Sequence, residues 1–287
     1  MIGREIEIDE LNELYNSKKA EFVAIYGRRR VGKTFLIDET FDGRITFRHA
    51  GLAPSSDEKS GLLQKQLNSF YNSLTMQGME ECEKPKNWFE AFILLEKHLQ
   101  KIDSGKRQLV FIDELPWLDT PRSNFIMALE SFWNNWGCHR KNLMLVVCGS
   151  ANSWMQDKLI NNVGGLYNRL TYQIKLSPFT LKECEEFFES EGFKYSRYNI
   201  VETYMIFGGI PYYLNYFNKG RSVAQNVNKL FFHKNAILEN EFDRLFDSIF
   251  VGAEGVKSIV RLLYKRNAGF TRKEIVNRLG ITDGGKI

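Results

Sequence analysis

The chain has 287 residues, of which 43% are hydrophobic and 26% charged, an ordinary composition for a globular protein with one large and one smaller domain. Its net charge of +4 neither requires nor excludes a nucleic-acid partner. Its apolar runs are far shorter than the roughly 20 residues of a membrane-spanning helix, and the charged start MIGREIEIDE does not resemble a secretory signal. We therefore expect a cytoplasmic protein with no membrane partner.

Short apolar runs alternate with helical patterns through the first part of the chain. The runs that predict strands are rich in β-branched or aromatic residues and lie at 21–27, 45–51, 107–115, 142–150 and 170–176. Strands separated by helices indicate right-handed crossovers and a parallel sheet that is covered on both faces. The sequence therefore predicts an α/β sandwich with five parallel strands over residues 1–178.

After Pro178 the pattern becomes helical. Two capping boxes, at Thr180–Glu183 and Thr271–Glu274, mark the starts of helices. The predicted helices lie at about 180–191, 196–207, 222–233, 234–246 and 253–266. The last capping box and the turn residue Gly280 indicate the opening of a helix-turn-helix. We expect its recognition helix to begin near Ile287, so that the full-length protein would continue beyond this point.

The stretch IYGRRRVGKT matches the phosphate-loop pattern G-x-x-x-x-G-K-T between a strand and a helix. Gly27 and Gly32 let the loop turn tightly and bring backbone N–H groups to phosphate oxygens, and the next helix directs its N-terminus at the same anion. Lys33 is expected to contact the β- and γ-phosphates, and Thr34 to bind Mg²⁺. The alternative is a basic patch for nucleic acid. We expect two of the three arginines, 28–30, to be solvent-facing or paired.

The stretch LVFIDELPWL places Asp113 and Glu114 at the end of an apolar strand. Asp113 is expected to hold the Mg²⁺ shell, largely through water, and Glu114 to activate the attacking water. The interval of about 80 residues from Lys33 leaves room for one intervening strand. The alternative for the pair is an acidic cap of the following helix.

Three further positions follow in chain order. Ser150 ends a strand where it can contact the γ-phosphate or the attacking water, with Asn152 as a competitor and a helix cap as the alternative role. Arg169 can contact a γ-phosphate across a subunit boundary or in cis, or form a structural ion pair. Gly208-Gly209 and Pro211 end one helix and begin the next, and Pro211 is expected to pack on an adenine unless it only punctuates the helices.

Taken in order, these stretches resemble the archaeal and bacterial ATP-binding proteins of the AAA+/STAND-like ATPase group. YGRRRVGKT, FIDELPWL and GGIPYYL are the most specific parts of a resemblance that covers nearly the whole chain. It implies a three-layer P-loop NTPase sandwich at 1–178, an α-helical lid at 179–250 and a partial winged-helix module at 251–287.

The resemblance also implies roles for single residues. Asn168 stands at a position where the pattern commonly has Gly, and this difference can change the turn that carries Arg169. The implied catalytic residues are Lys33, Glu114, Ser150 and Arg169, and the implied metal ligands are Thr34 and Asp113. The implied cofactor-binding residues are Ile2, Gly3 and Arg4 beside the adenine, Gly27, Arg30, Val31, Gly32, Lys33, Thr34 and Phe35 in and after the loop, and Pro211 in the lid.

The function implied is that of a slow, Mg²⁺-dependent ATPase that acts as a nucleotide-driven conformational switch, with ATP between the core and the lid. ATP rather than GTP is expected because no guanine-reading N/T-K-x-D motif occurs. Two alternatives stay open: a nucleic-acid-binding regulator with ATP as an allosteric ligand, and a nucleotide-held scaffold with negligible hydrolysis. Expected partners are ATP or ADP, a second copy or a protein client, and DNA through the incomplete helix-turn-helix.

Overall fold

The computed structural model describes residues 1–53, 61–150, 152–250 and 253–282. The chain divides into two compact units, Met1–Asn215 and Tyr216–Ile287. The division falls inside the segment 179–250 for which the sequence predicts a lid. The predicted start of a recognition helix near Ile287 lies outside the described residues. None of the helices in the described ranges is long and apolar enough to cross a membrane.

The helices and strands follow the predicted order closely. The strands are β1 (Glu21–Tyr26), β2 (Ile45–Ala50), β3 (Gln108–Asp113), β4 (Leu143–Gly149) and β5 (Tyr172–Lys175). The helices of the first unit are α1 (Glu5–Asn16), α2 (Lys33–Thr40), α3 (Leu62–Met76), α4 (Trp88–Lys101), α5 (Phe125–Asn135), α6 (Asn152–Trp154), α7 (Leu181–Ser190), α8 (Arg197–Phe207) and α9 (Pro211–Leu214). Those of the second are α10 (Val223–Val227), α11 (Glu241–Ile249), α12 (Glu254–Leu263) and α13 (Arg272–Leu279).

Within the described ranges, five strands form one parallel sheet in the order β2-β3-β4-β1-β5, which confirms the predicted α/β fold. Strands β1, β3 and β4 are buried along their whole length, as continuous apolar runs predict for central strands. Because the strands are parallel, the loops that follow β1, β3 and β4 open at the same edge of the sheet. This edge carries the phosphate-loop pattern and the acidic pair.

Both faces of the sheet are covered. On one face, α3, α4 and α5 contribute a buried aromatic cluster in which Trp88 lies 5.6 Å from Phe70 and 4.9 Å from Phe125, measured between ring centroids. On the other face, Arg48 forms an ion pair with Asp38 of α2 at 2.6 Å and lies over the ring of Phe111 of β3. Helix α2, which follows the phosphate-loop pattern, is therefore fixed directly against the sheet.

In the second unit the prediction of a helix over 234–246 is wrong at its start, since α11 begins only at Glu241. Asn235 has a φ of 60°, which lies in the left-handed region and interrupts a right-handed helix. The predicted start of the last helix is correct, because the Thr271 side chain caps α13 and Gly280 ends it with a φ of 63°. The winged-helix assignment stays a prediction.

His49 of β2 is a buried titratable group beside the aromatic cluster. Its side chain is 2% exposed, its Nδ1 lies 2.9 Å from Ser73 Oγ, and within the described ranges its Nε2 has no hydrogen-bond partner. Burial lowers the pKa of His49 from 6.5 to about 4. The unfolded chain binds the proton at higher pH, so stability that is present above about pH 6.5 is lost as the pH falls toward 4.

Replacing His49 by phenylalanine is expected to remove this pH dependence. Between about pH 7.5 and pH 5 the parent should lose roughly 2 kcal/mol more unfolding free energy than His49→Phe, since each pKa unit is worth about 1.4 kcal/mol. Urea unfolding of both proteins at the two pH values measures the difference. Parallel losses in the two proteins would show that His49 is not the titrating group.

Candidate functional site

A cavity of about 580 Å³ opens in the first unit, a volume typical of small-ligand sites. Its walls come from the N-terminal segment, the loop after β1, the start of α2, the residue after β3, and α7 and α9. It brings together many of the predicted site residues, namely Ile2, Arg4, Arg30, Val31, Gly32, Lys33, Thr34, Phe35, Glu114 and Pro211.

The two glycines of the loop are required for different reasons. A Cβ on Gly27 would lie 2.2 Å from the backbone oxygen of Leu176, so a side chain at this position would collide with the chain after β5. Gly32 has open space but a φ of 92°, which glycine adopts far more readily than other residues. Helix α2 begins at the next residue, so its free N–H groups face the loop.

Lys33 is the first residue of α2 and is 6% exposed. Its Nζ donates to the backbone oxygens of Gly27 and Arg28, both at 3.2 Å. Burial lowers the pKa of the Lys33 ammonium, and the nearby carboxylate of Glu114 partly opposes this effect. An anion bound here would place negative charge beside a partly desolvated cation, which is a strong interaction.

Thr34 and the acidic pair meet across 79 residues of sequence. Thr34 Oγ1 donates to Asp113 Oδ2 at 2.6 Å, and the backbone N–H of Glu114 donates to Asp113 Oδ1 at 2.9 Å. A hydroxyl and a carboxylate side by side are oxygen donors of the kind that Mg²⁺ prefers. The residues present therefore fit a magnesium ion next to Lys33.

Ser150 does not line the cavity and instead contacts Glu114. Its hydroxyl donates to Glu114 Oε2 at 2.8 Å, and its backbone N–H donates to the same oxygen at 3.3 Å. Glu114 has a φ of 45°, a left-handed conformation that costs energy in a residue with a Cβ and is often found at functional sites. Ser150 thus fixes the orientation of the Glu114 carboxylate, a contact that the sequence did not reveal.

The N-terminal segment lies against the loop after β1. Arg4 is 5% exposed, and its guanidinium donates to the backbone oxygens of Val31 at 3.3 Å and Ser177 at 2.7 Å. Gly3 has a φ of 62°, and a Cβ there would lie 2.6 Å from Glu183 Oε1. These contacts hold Ile2 at the wall of the cavity.

The stretch GGIP also reaches the cavity. Gly208 ends α8 with a φ of 67°, and Pro211 is the first residue of α9, as the sequence predicts. A Cβ on Gly209 would lie 2.2 Å from the backbone oxygen of Phe179. This close approach brings Pro211 and Phe179 to the same cavity.

The three arginines of the loop have different surroundings. Arg28 is exposed, whereas the Arg29 guanidinium lies 5.4 Å from the ring centroid of Trp117. Arg30 lines the cavity and contacts the rings of Tyr212 and Tyr213. The loop therefore presents one exposed arginine and two that stack on aromatic side chains.

Arg169 is not brought to the cavity. It is exposed and precedes β5, where the Thr171 N–H donates to the backbone oxygen of Phe22. This is the amino edge of the sheet, whereas the phosphate loop follows Tyr26 at the carboxyl edge, about 13 Å further along β1. Asn168 has a φ of 52°, a conformation that Asn tolerates, so its replacement of Gly preserves the turn. Arg169 thus lies at the edge of the sheet opposite the cavity, and its contact with nucleotide, in cis or across a subunit boundary, stays a prediction.

The sequence did not predict several residues of the cavity wall. They are Met1, Glu39, Phe179, Phe187, Ser190, Glu191, Tyr212 and Asn215. Tyr212 could have been predicted, because it follows Pro211 in the same motif. The side chains of α7 carried no signal, since its sequence shows only a capping box and an amphipathic pattern.

A family model and a curated relative match this chain. A family model for an ATPase domain predominantly from Archaea matches residues 1–217. An uncharacterized protein of Methanocaldococcus jannaschii is 31% identical over 215 residues, which are 74% of this chain and 43% of that protein. The chain thus spans less than half the length of this curated relative.

Two solved structures show the same fold at low sequence identity. A Walker-type ATPase of Pyrococcus abyssi superposes with a TM-score of 0.56 at 19% identity and covers 85% of this chain and 75% of its own. The ORC2 protein of Aeropyrum pernix, solved with ADPNP and ADP, gives a TM-score of 0.51 at 14% identity over 97% of this chain and 79% of its own.

Proposed function

The chain belongs to the family of ATPase domains found predominantly in Archaea, and from this premise we propose that its cavity binds ATP with Mg²⁺ and that the domain hydrolyses it slowly as a conformational switch. The observation that carries the proposal is the meeting of Lys33, Thr34, Asp113 and Glu114 at one edge of the sheet. These groups supply a cation, a metal site and a carboxylate base within one constellation.

In this proposal the nucleotide lies along the cavity with its phosphates at the loop. The backbone N–H groups of the loop and of the α2 N-terminus bind the phosphate oxygens, and Lys33 adds a charge-assisted hydrogen bond. The adenine packs on the apolar wall formed by Ile2, Phe35, Phe187 and Pro211. Aromatic and aliphatic walls with a few placed polar groups are typical of such sites.

Thr34 and Asp113 would hold the magnesium ion, which neutralises charge on the β- and γ-phosphates when bound. Glu114 accepts a proton from the attacking water as the oxygen forms a bond to the γ-phosphorus. The bond between that phosphorus and the bridging oxygen breaks, and ADP and inorganic phosphate leave. Ser150 supports this step by holding the Glu114 carboxylate in one orientation.

The switch rests on the elements that surround the loop. Arg4 of the N-terminal segment and residues of α7 and α9 reach the same cavity as the phosphate loop, so nucleotide occupancy can change their packing. A client, a second copy that receives Arg169, or DNA would read that change.

The experiment that tests this function measures ATP and ADP binding by calorimetry and phosphate release with Mg²⁺ or with EDTA. We expect binding of both nucleotides and a slow release of phosphate that stops when EDTA removes the metal. Failure to bind either nucleotide would overturn the proposal. Binding with phosphate release equal to the protein-free blank would favour the nucleotide-held scaffold instead.

A further inference from the structure

Arg30 joins the phosphate loop to helix α9. Its guanidinium carbon lies 4.4 Å from the ring centroid of Tyr212 and 5.4 Å from that of Tyr213. Its Nη1 also donates to the Tyr213 hydroxyl at 3.1 Å, across 183 residues of sequence. One side chain of the loop therefore makes both cation–π contacts and a hydrogen bond with two successive residues of α9.

The backbone at Arg30 adds to this observation. Its φ is 70°, in the left-handed region where a residue with a Cβ is uncommon. Glycine would adopt this conformation at a lower cost. An arginine that occupies such a position in a site indicates that its side chain has a function there.

Tyr213, the partner of Arg30 in α9, is buried and packs against α8. Tyr213 is 8% exposed, and its ring lies 6.1 Å from that of Phe207 at the end of α8. Burial raises the pKa of the Tyr213 hydroxyl although Arg30 acts in the opposite direction. The hydroxyl therefore stays protonated near neutral pH and accepts from Arg30 as a neutral group.

The two partners border one cavity from different sides. Arg30 and Gly32 to Thr34 line it at the phosphate loop, and Pro211 and Tyr212 line it at α9. Given ATP binding as proposed above, the phosphates would lie at the first side and the base at the second. We propose that Arg30 is a positioning residue that ties α9 to the phosphate loop, so that the base-facing wall is held in place for a nucleotide whose phosphates occupy the loop.

Arg28 provides a matched comparison within the same loop. It carries the same charge two residues away, and its side chain is exposed. Arg28→Gln and Arg30→Gln each remove one positive charge from the loop. Only Arg30→Gln removes the ring contacts and the hydrogen bond with α9.

The test compares the affinities of ATP and of inorganic triphosphate, which lacks the base, for these two variants. Loss of a loop charge should weaken triphosphate binding to a similar extent in both. Arg30→Gln should weaken ATP binding by about a further fivefold, the size expected for a cation–π contact with a hydrogen bond. In a Tyr212→Leu background this additional loss should shrink to the part that the Tyr213 contacts carry, because residues that act through each other are not additive.

The outcomes separate the possible roles of Arg30. Equal loss of ATP affinity in Arg28→Gln and Arg30→Gln, or an additional loss that is undiminished in the Tyr212→Leu background, would overturn the positioning role. Tyr213→Phe keeps the ring and removes the hydroxyl, and it should weaken ATP binding by about twofold. Absence of ATP binding by the parent would instead reject the proposed function, and thermal melts without nucleotide identify any variant that does not fold.

Discussion

Replacing Lys33 by methionine is expected to weaken ATP binding about a hundredfold. The ammonium already lies in the loop, bonded to the oxygens of Gly27 and Arg28, and would form charge-assisted hydrogen bonds with the β- and γ-phosphates. Two such bonds at about 1.5 kcal/mol each correspond to a change of roughly two powers of ten in Kd. Calorimetric titration with ATP measures the change.

Lys33→Met should fold as stably as the parent. Burial disfavours the charge of the Lys33 ammonium and lowers its pKa, and methionine fills a similar volume without that cost. Arg28→Met is the matched control, since it removes a charge from an exposed side chain of the same loop, and it should change the Kd by no more than about threefold. ATP affinity that is unchanged in Lys33→Met, or equally reduced in both variants, would refute the role of Lys33.

Glu114→Gln is expected to slow hydrolysis about 10²- to 10⁴-fold, the usual contribution of a general base, while ATP binding is retained. Glutamine has nearly the same shape, and its oxygen still accepts from the Ser150 hydroxyl that contacts Glu114 at 2.8 Å. The amide does not take the proton from water. Single-turnover hydrolysis measures the chemical step, and the variant should accumulate bound ATP.

Two further variants make this result specific. Ser150→Ala keeps the carboxylate but removes the hydroxyl that orients it, and it should slow the same step by about tenfold. Asp119→Asn removes a nearby carboxylate, which accepts from Trp154 Nε1 at 2.9 Å, and should leave the rate within about twofold. Hydrolysis by Glu114→Gln at the parent's rate would exclude Glu114 as the base.

The helices and strands of this protein were predictable because their signals are local. The continuous apolar runs of β1, β3 and β4 predict buried central strands. The capping box at Thr180 predicts the start of α7 within one residue. These patterns depend on neighbours a few residues away. The helix predicted over 234–246 does not form at 234–240, because Asn235 has a left-handed backbone conformation.

Among the site residues, those of one short motif were predictable, whereas their contacts with distant residues were not. The spacing of Gly27, Gly32, Lys33 and Thr34 predicts the loop, since a phosphate loop is built from consecutive residues. The partner of each side chain was not predictable, because it comes from another part of the chain. The contact of Ser150 with phosphate or water stays a prediction, whereas its hydrogen bond to Glu114 could not be predicted from the sequence.

The amino-acid sequence predicts the α/β class, the phosphate-loop pattern and the acidic pair, because periodicity, caps and motif spacing act over short distances along the chain. The contacts between distant groups form only in the folded chain, where Arg30 contacts Tyr213 across 183 residues and Arg4 contacts Ser177 across 173. Arg169 lies at the edge of the sheet opposite the cavity. The strand order β2-β3-β4-β1-β5 sets these distances, and that order follows from the packing of whole elements rather than from any local pattern.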